Sequence, residues 1–200
     1  MHFTKVGLTG GIATGKSSVA DAWRTRGAVV IDSDQLAHRT LEPGTPTYAA
    51  IIREFGETIL NADGTIHRHK LGELVFGDEH RRQVLNQIVH PVVRRRWTEE
   101  LAAAENAGQC RVAVVAIPLL FEVGAENEFD WTVVVGCSEP TQLDRLAAKG
   151  LTETQARARI AAQLPTQLKM DRGNFVIWND GSRSVLDRQA GMIWSKIKEN

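Results

Sequence analysis

The chain has 200 residues, 42% of them hydrophobic, with 24 basic and 24 acidic side chains and no formal net charge. This length supports one full core with a small inserted subdomain, and the zero balance excludes a general field that would draw in nucleic acid or an anionic membrane. Local basic clusters suit a small phosphorylated ligand better than a long polyanion. No apolar run approaches membrane-spanning length, and the first residues pass straight into an expected strand without a secretory leader. The two cysteines, Cys110 and Cys137, lie in apolar, strand-like stretches and are expected to be free buried thiols of a reducing compartment. The expectation is a soluble, cytoplasmic protein with no nucleic-acid or membrane partner.

In chain order, Lys5 to Thr9 predicts a short buried strand. Gly10-Gly11-Ile12-Ala13-Thr14-Gly15-Lys16-Ser17 then matches the phosphate-loop pattern G-x-x-x-x-G-K-[S/T], and Ser17 to Trp23 opens a helix with Val19, Ala20 and Trp23 on one face. The residue types suit the chemistry. Glycines let the backbone curl so that successive N–H groups point at phosphate oxygens, and the helix N-terminus adds donors and a favourable dipole. The expected roles are backbone and side-chain contacts to a nucleoside triphosphate from Gly11, Ala13, Thr14, Gly15, Lys16, Ser17 and Ser18. Lys16 reaches the β- and γ-phosphates, and the Ser17 hydroxyl ligates Mg²⁺.

Arg24-Thr25-Arg26-Gly27 ends that helix. Ala28 to Ile31 predicts a second strand delivering Asp32 and Asp34 to the carboxyl edge of an open α/β sheet, where ligands of such sheets bind. One of the two carboxylates suits a general base and the other a supporting or Mg²⁺ role; the lesser alternative is that Ser33 or Asp34 caps the helix that follows. No long strand is expected between about Ile31 and Arg111. Tyr48 to Gly56, Lys70 to Phe76 and Glu79 to Val89 have helical spacing, and Asn61 to Ile66 suits a small hairpin tip. His90-Pro91 is expected to interrupt the helix before a polar one from Val92 to Asn106. This is a helical insertion between the second and third strands, where small-molecule kinases carry their acceptor-binding domain. His67-x-His69 has metal-ligand spacing but no third ligand nearby.

Arg111 to Ile117 predicts a strand buried on both faces, ending in Pro118-Leu119-Leu120-Phe121-Glu122. Trp131 to Gly136 is the fourth strand, Glu139 to Ala148 a helix with Pro140 in its first turn, and Leu151 to Gln163 a helix opened by a capping box, Thr152 with Gln155. Arg145, Arg157, Arg159, Lys169 and Arg172 make this region cationic, suiting either a lid over a triphosphate or a solvated charged face. Phe175 to Trp178 is the fifth strand and Val185 to Ile197 a closing amphipathic helix. The five tryptophans are scattered, which suits packing.

Six ordered motifs, spanning nearly the whole length, make the chain resemble the dephospho-CoA kinase family. They are Gly7-Leu8-Thr9-Gly10-Gly11-Ile12 running into Gly15-Lys16-Ser17; Val30-Ile31-Asp32-Ser33-Asp34; Asp63-Gly64 with Arg68, Leu71 and Val75-Phe76; Leu85-Asn86-x-Ile88-x-His90-Pro91; Pro118 to Glu122; and Gln142-Leu143-x-Arg145-Leu146 with Arg157-x-Arg159-Ile160-x-x-Gln163. The family usually has glycine at Ala13, an Arg-Asp or Arg-Asn pair before the glycine where this chain has Lys149-Gly150 and is one residue short, and Ala-Asp where Gly173-Asn174 stands.

The resemblance implies an α/β P-loop NTPase fold of the nucleoside-monophosphate-kinase type. It would have a five-stranded parallel sheet, a nucleotide-binding core over 1–34 and 108–200, a helical acceptor-binding insertion over 35–107 and a lid over 145–172. It implies ATP-dependent phosphorylation of the ribose 3′-hydroxyl of dephospho-CoA, the last step of coenzyme A synthesis, with Mg²⁺. Asp32 is then the base, with Lys16, Arg145 and Arg159 also catalytic, and Asp34, His90, Pro118, Leu119, Leu120 and Glu122 bind the acceptor. On the residues alone two other readings stay open. One is a related kinase for a nucleoside, nucleotide or sugar acid. The other is a non-kinase P-loop switch or ATP-driven module, against whose GTP-binding form the missing guanine-reading N-K-x-D sequence counts.

Overall fold

The computed structural model describes residues 3–108 and 110–199. Five strands, β1 (Thr4–Gly10), β2 (Val29–Asp32), β3 (Val112–Ala116), β4 (Trp131–Gly136) and β5 (Phe175–Trp178), form one parallel sheet in the order β2-β3-β1-β4-β5. All five were expected from apolar runs rich in β-branched residues, and β3 is buried along its whole length. The order has a consequence for binding. β1 leads to β2 on one side of the sheet, whereas β3 leads to β4 on the other. The chain therefore leaves the carboxyl ends of the adjacent strands β1 and β3 in opposite directions, opening a crevice there.

The helices are α1 (Lys16–Arg24), α2 (Ser33–Thr40), α3 (Pro46–Phe55), α4 (Arg68–Phe76), α5 (Glu79–Ala107), α6 (Glu139–Ala147), α7 (Glu153–Ala161), α8 (Thr166–Arg172) and α9 (Arg183–Glu199). The described chain divides into two compact units, Met1–Asp32 with Leu101–Asn200, and Ser33–Glu100. The expected lid region, 145–172, lies within the first of these.

In the first unit the strand period of two separates the sheet faces. Val6, Leu8, Val112, Val114, Val133, Val135 and Ile177 pack with Val19 and Trp23 of α1 and Leu186, Ile193, Trp194 and Ile197 of α9. The Trp23 indole N–H donates to the Ala190 carbonyl at 2.9 Å, and its ring lies 6.2 Å from that of Trp194, tying α1 to α9. The other face is lined by smaller groups at β1: a Cβ on Gly7 would stand 2.9 Å from the Phe129 ring.

The second unit has its own small core of Ile51, Ile59, Ile66 and Leu71, with Tyr48, Leu85, Ile88 and Val89 against it. Thr45 caps α3, whose first position is Pro46, and Leu60 and Ile66 form the expected hairpin tip. His67 accepts the Lys70 N–H as the cap of α4, and His69 pairs with Glu73, so both histidines have local structural roles. One expectation fails. His90-Pro91 does not interrupt the helix: α5 runs through Pro91 without a break. Proline cannot donate to the Gln87 carbonyl, but one missing bond within 29 residues leaves the helical bonds on both sides intact. Cys110 also departs from expectation, being half-buried in the loop before β3, while Cys137 is buried; both thiols are free. Burial pushes the Cys137 thiol up to about 11, so it is neutral at physiological pH.

His90 is half-buried on α5, and burial holds its imidazole below the ordinary value of about 6.5. The folded protein thus binds fewer protons than the unfolded chain once the pH falls below about 6.5, and the stability present above that value is lost as His90 is forced to charge. Melting temperature should fall between pH 7.5 and pH 5.5, and His90→Gln should remove part of that fall. An equally steep fall in the variant would assign it to other groups.

Candidate active site

The loop between β1 and α1 turns because its glycines permit what a side chain would block. Gly10 and Gly15 have φ of 154° and 99°; a Cβ on Gly10 would stand 2.3 Å from the Val135 carbonyl oxygen, and one on Gly15 2.1 Å from Asn179 Nδ2. Gly11 is confined between Thr166 and Gln142. Thr14 is wholly buried and staples the loop by donating its hydroxyl to the Gly11 carbonyl at 2.9 Å.

The loop carbonyls are held from behind. Gln142 Nε2 donates to the Ile12 carbonyl at 2.7 Å. The Arg145 guanidinium donates to the carbonyls of Ala13 and Thr14, at 3.1 and 3.3 Å, and to that of Asn179 at 2.8 Å. Asn179 Nδ2 donates to the Thr14 carbonyl at 2.7 Å. In a trans peptide the carbonyl and the following N–H point in opposite directions. Fixing the carbonyls of Ile12 and Thr14 backward therefore turns the N–H groups of Ala13 and Gly15 toward the concave side, while the Thr14 N–H closes the loop on itself by donating to the Gly11 carbonyl at 3.4 Å. Gly15 caps α1 with no side-chain hydrogen bond of its own, which leaves the start of that helix without a capping side chain at its N-cap. The result is an anion-binding nest of backbone donors. Lys16 is half-buried at the first position of α1, Ser17 is exposed beside it and Ser18 is half-buried.

Asp32 is the last residue of β2, half-buried, and level with Ala116 of β3 and, through it, Leu8 of β1. Two interstrand spacings place it roughly 10 Å from β1, at the carboxyl edge from which the loop springs. Asp34 does not share a strand face with Asp32. The strand stops at Asp32 and α2 begins at Ser33, which puts the Asp34 carboxylate in the first turn of a helix, where the dipole favours it. Asp34 and His90 belong to the second unit.

The turn after β3 is built by its own contacts. The Pro118 carbonyl accepts the Thr9 hydroxyl at 3.2 Å, bridging the ends of β1 and β3 across the crevice. Leu119 is half-buried. Leu120 is 0% exposed, with its side chain against Gly7, so the structure makes it a core residue and not one that an acceptor can touch. Glu122 Oε1 accepts the Leu164 N–H at 2.9 Å and lies 2.8 Å from Lys169 Nζ. Arg159 is exposed on α7. Arg157 pairs with Glu153 and Glu139 at the surface, an arrangement worth little to stability. The capping box of α7 is present in full.

Three positioning groups had no assigned role in the sequence: Gln142, Gln163, whose Oε1 accepts the Ile12 N–H at 2.9 Å, and Asn179. An isolated amide side chain carries no signature of its partner. The one available hint was that Gln142 and Gln163 fall within the motifs shared with the family.

Ala13 is the one described residue other than glycine with positive φ, at 60°. A left-handed Cβ costs about 1–2 kcal/mol, partly offset because alanine has less unfolded entropy to lose than glycine. Ala13→Gly should therefore raise stability by up to about 1 kcal/mol, measured by urea unfolding at an unchanged m-value. A loss of stability would show that the Ala13 methyl makes contacts that outweigh its strain.

Comparison with known proteins agrees with this geometry. A family model for dephospho-CoA kinase matches residues 4–184. A Shouchella clausii protein named dephospho-CoA kinase is 44% identical over 186 residues, covering 92% of this chain and 94% of that protein. A Streptomyces avermitilis protein of the same name is 44% identical over 195 residues, covering 96% and 93%. The crystal structure of TT1252 from Thermus thermophilus aligns with a TM-score of 0.83 at 34% identity over 98% of both chains. With a phosphate loop, a five-stranded parallel sheet and matches over nearly its whole length, the chain belongs to the dephospho-CoA kinase family.

Proposed function

We propose that this chain transfers the γ-phosphoryl group of ATP to the ribose 3′-hydroxyl of dephospho-CoA, giving coenzyme A and ADP. The observation that carries the reading is the pairing, at one sheet edge, of a backbone nest whose carbonyls are held away from the ligand with a carboxylate, Asp32, two strands distant. The two interstrand spacings between β2 and β1, roughly 10 Å, leave room at that edge for a phosphoryl group and an acceptor hydroxyl.

The N–H groups of Ala13 to Ser18 hold the triphosphate, and Lys16 neutralises charge on the transferred group. Asp32 orients the acceptor hydroxyl for in-line attack and accepts its proton. Arg145 acts first as a brace, since three of its contacts go to backbone carbonyls; it and Arg159, exposed on α7, supply positive charge to the transferring group. The exposed Ser17 hydroxyl is a hard oxygen donor of the kind Mg²⁺ accepts alongside phosphate oxygens and water. Mg²⁺ supplies charge neutralisation on the β- and γ-oxygens when bound. On the helical unit, Asp34 and His90 are proposed acceptor contacts, and on the core Pro118 and Leu119. A cytoplasmic location follows from the proposed metabolic role.

The test is ADP release from Mg-ATP with dephospho-CoA, set against adenosine, AMP and gluconate. Turnover confined to dephospho-CoA, with coenzyme A as product, supports the reading; turnover with another acceptor alone overturns it. Asp32→Asn should lower kcat by about 10²–10⁴-fold while leaving ATP binding largely intact. Lys16→Ala should weaken both ATP binding and turnover, and unchanged ATP affinity would remove Lys16 from the phosphate site.

A further inference from the structure

Lys169 on α8 is the one fully buried lysine or arginine among the described residues, at 0% exposure. Burying an ammonium group costs several kcal/mol, and an apolar side chain of similar volume fills such a site without that penalty. Its partners are therefore informative. Nζ donates to the Pro118 carbonyl at 2.7 Å and lies 2.8 Å from Glu122 Oε1.

Both partners lead to the phosphate loop. The Pro118 carbonyl also accepts the hydroxyl of Thr9, the residue before Gly10. Glu122 Oε1 also accepts the N–H of Leu164, whose neighbour Gln163 accepts the Ile12 N–H. The contacts form a ring that leaves the loop at Thr9, passes through Pro118, Lys169, Glu122 and Leu164, and returns at Ile12. The rest of α8 is seated on the same parts. A Cβ on Gly11 would stand 2.8 Å from Thr166 Oγ1, and one on Gly136 2.7 Å from Met170 Sδ. Arg172 pairs with Glu126 and lies 4.6 Å above the Phe121 ring.

We infer that Lys169 is a positioning residue for the nucleotide: paired with Glu122, it fixes the Gln163-Leu164 segment so that Gln163 holds the entry of the phosphate loop at Ile12. Glu122 accordingly serves the nucleotide side of the reaction, although the family resemblance sets it beside the acceptor. The inference rests on the loop being the ATP site.

The test is Mg-ATP affinity, measured by calorimetry without acceptor, for Gln163→Ala, for the paired variant Lys169→Met with Glu122→Gln, and for the three changes together. Removing both charges avoids leaving one ion buried alone. Gln163→Ala and the paired variant should each weaken ATP binding by about tenfold, and together no further, because they break the same ring. The KM for dephospho-CoA should stay within about twofold. A folded paired variant with unchanged ATP affinity overturns the inference. So does a combined loss equal to the product of the two separate losses, or a rise confined to the KM for dephospho-CoA. Should the paired variant fail to fold, Gln163→Ala with unchanged ATP affinity overturns the inference by itself. Because binding is read without acceptor, failure of the acceptor assignment leaves this test standing.

Discussion

The structure depends on peptide groups held in one direction. A phosphate nest works only if several successive N–H groups face the same way, and nothing intrinsic to a glycine-rich loop enforces that. Here the enforcement comes from the carbonyl side. Gln142, Arg145 and Asn179 take the carbonyls of Ile12, Ala13 and Thr14, and peptide planarity does the rest. The donors come from α6 and from the residue after β5, elements far from the loop in sequence. The loop is therefore shaped before any ligand arrives, and the ordering entropy that would otherwise weaken binding is met at folding.

The same logic extends one layer outward. Surface arginines such as Arg157 and Arg183 pair with carboxylates one helical turn away, where solvent screens them and little stability results. Lys169 differs in kind. It is withdrawn from water, satisfied by a carbonyl and a carboxylate, and placed where β1 and β3 diverge. A desolvated ion tolerates little displacement, because moving its partners leaves a charge buried without compensation. That intolerance suits a contact that must hold a loop to within a fraction of an ångström. The cationic stretch from Arg145 to Arg172 is thus not uniform. Lys169 is buried and Arg145 half-buried, both bonded to backbone, while Arg157 and Arg159 are exposed.

The helical unit follows local rules more closely. Its caps at Thr45, His67 and Asp78 and its hairpin tip are short-range structures, each with its determinants within a few residues. The exception is Pro91, where a strong local breaker is overridden by a long helix. A missing donor and a steric clash weigh against many intact i to i−4 bonds, and only the packed structure decides the balance.

Much was determined by the amino-acid sequence itself. The five strands followed from β-branched apolar runs, the loop from its glycines and Lys16, and the helical insertion from the absence of strand patterns between Ile31 and Arg111. These signals are local, because secondary structure is set by periodicity and by backbone freedom over a few residues. The tertiary structure alone decided which side chains hold the loop, that Leu120 is core, that Asp34 leaves the strand for a helix, and that Lys169 is buried while Arg159 is not. Each of those outcomes turns on a partner 20 or more residues away or on the residue at which a strand stops. A glutamine, a lysine or an arginine has the same chemistry in a lid, on a surface or inside a core, and only the fold supplies the acceptor it will meet.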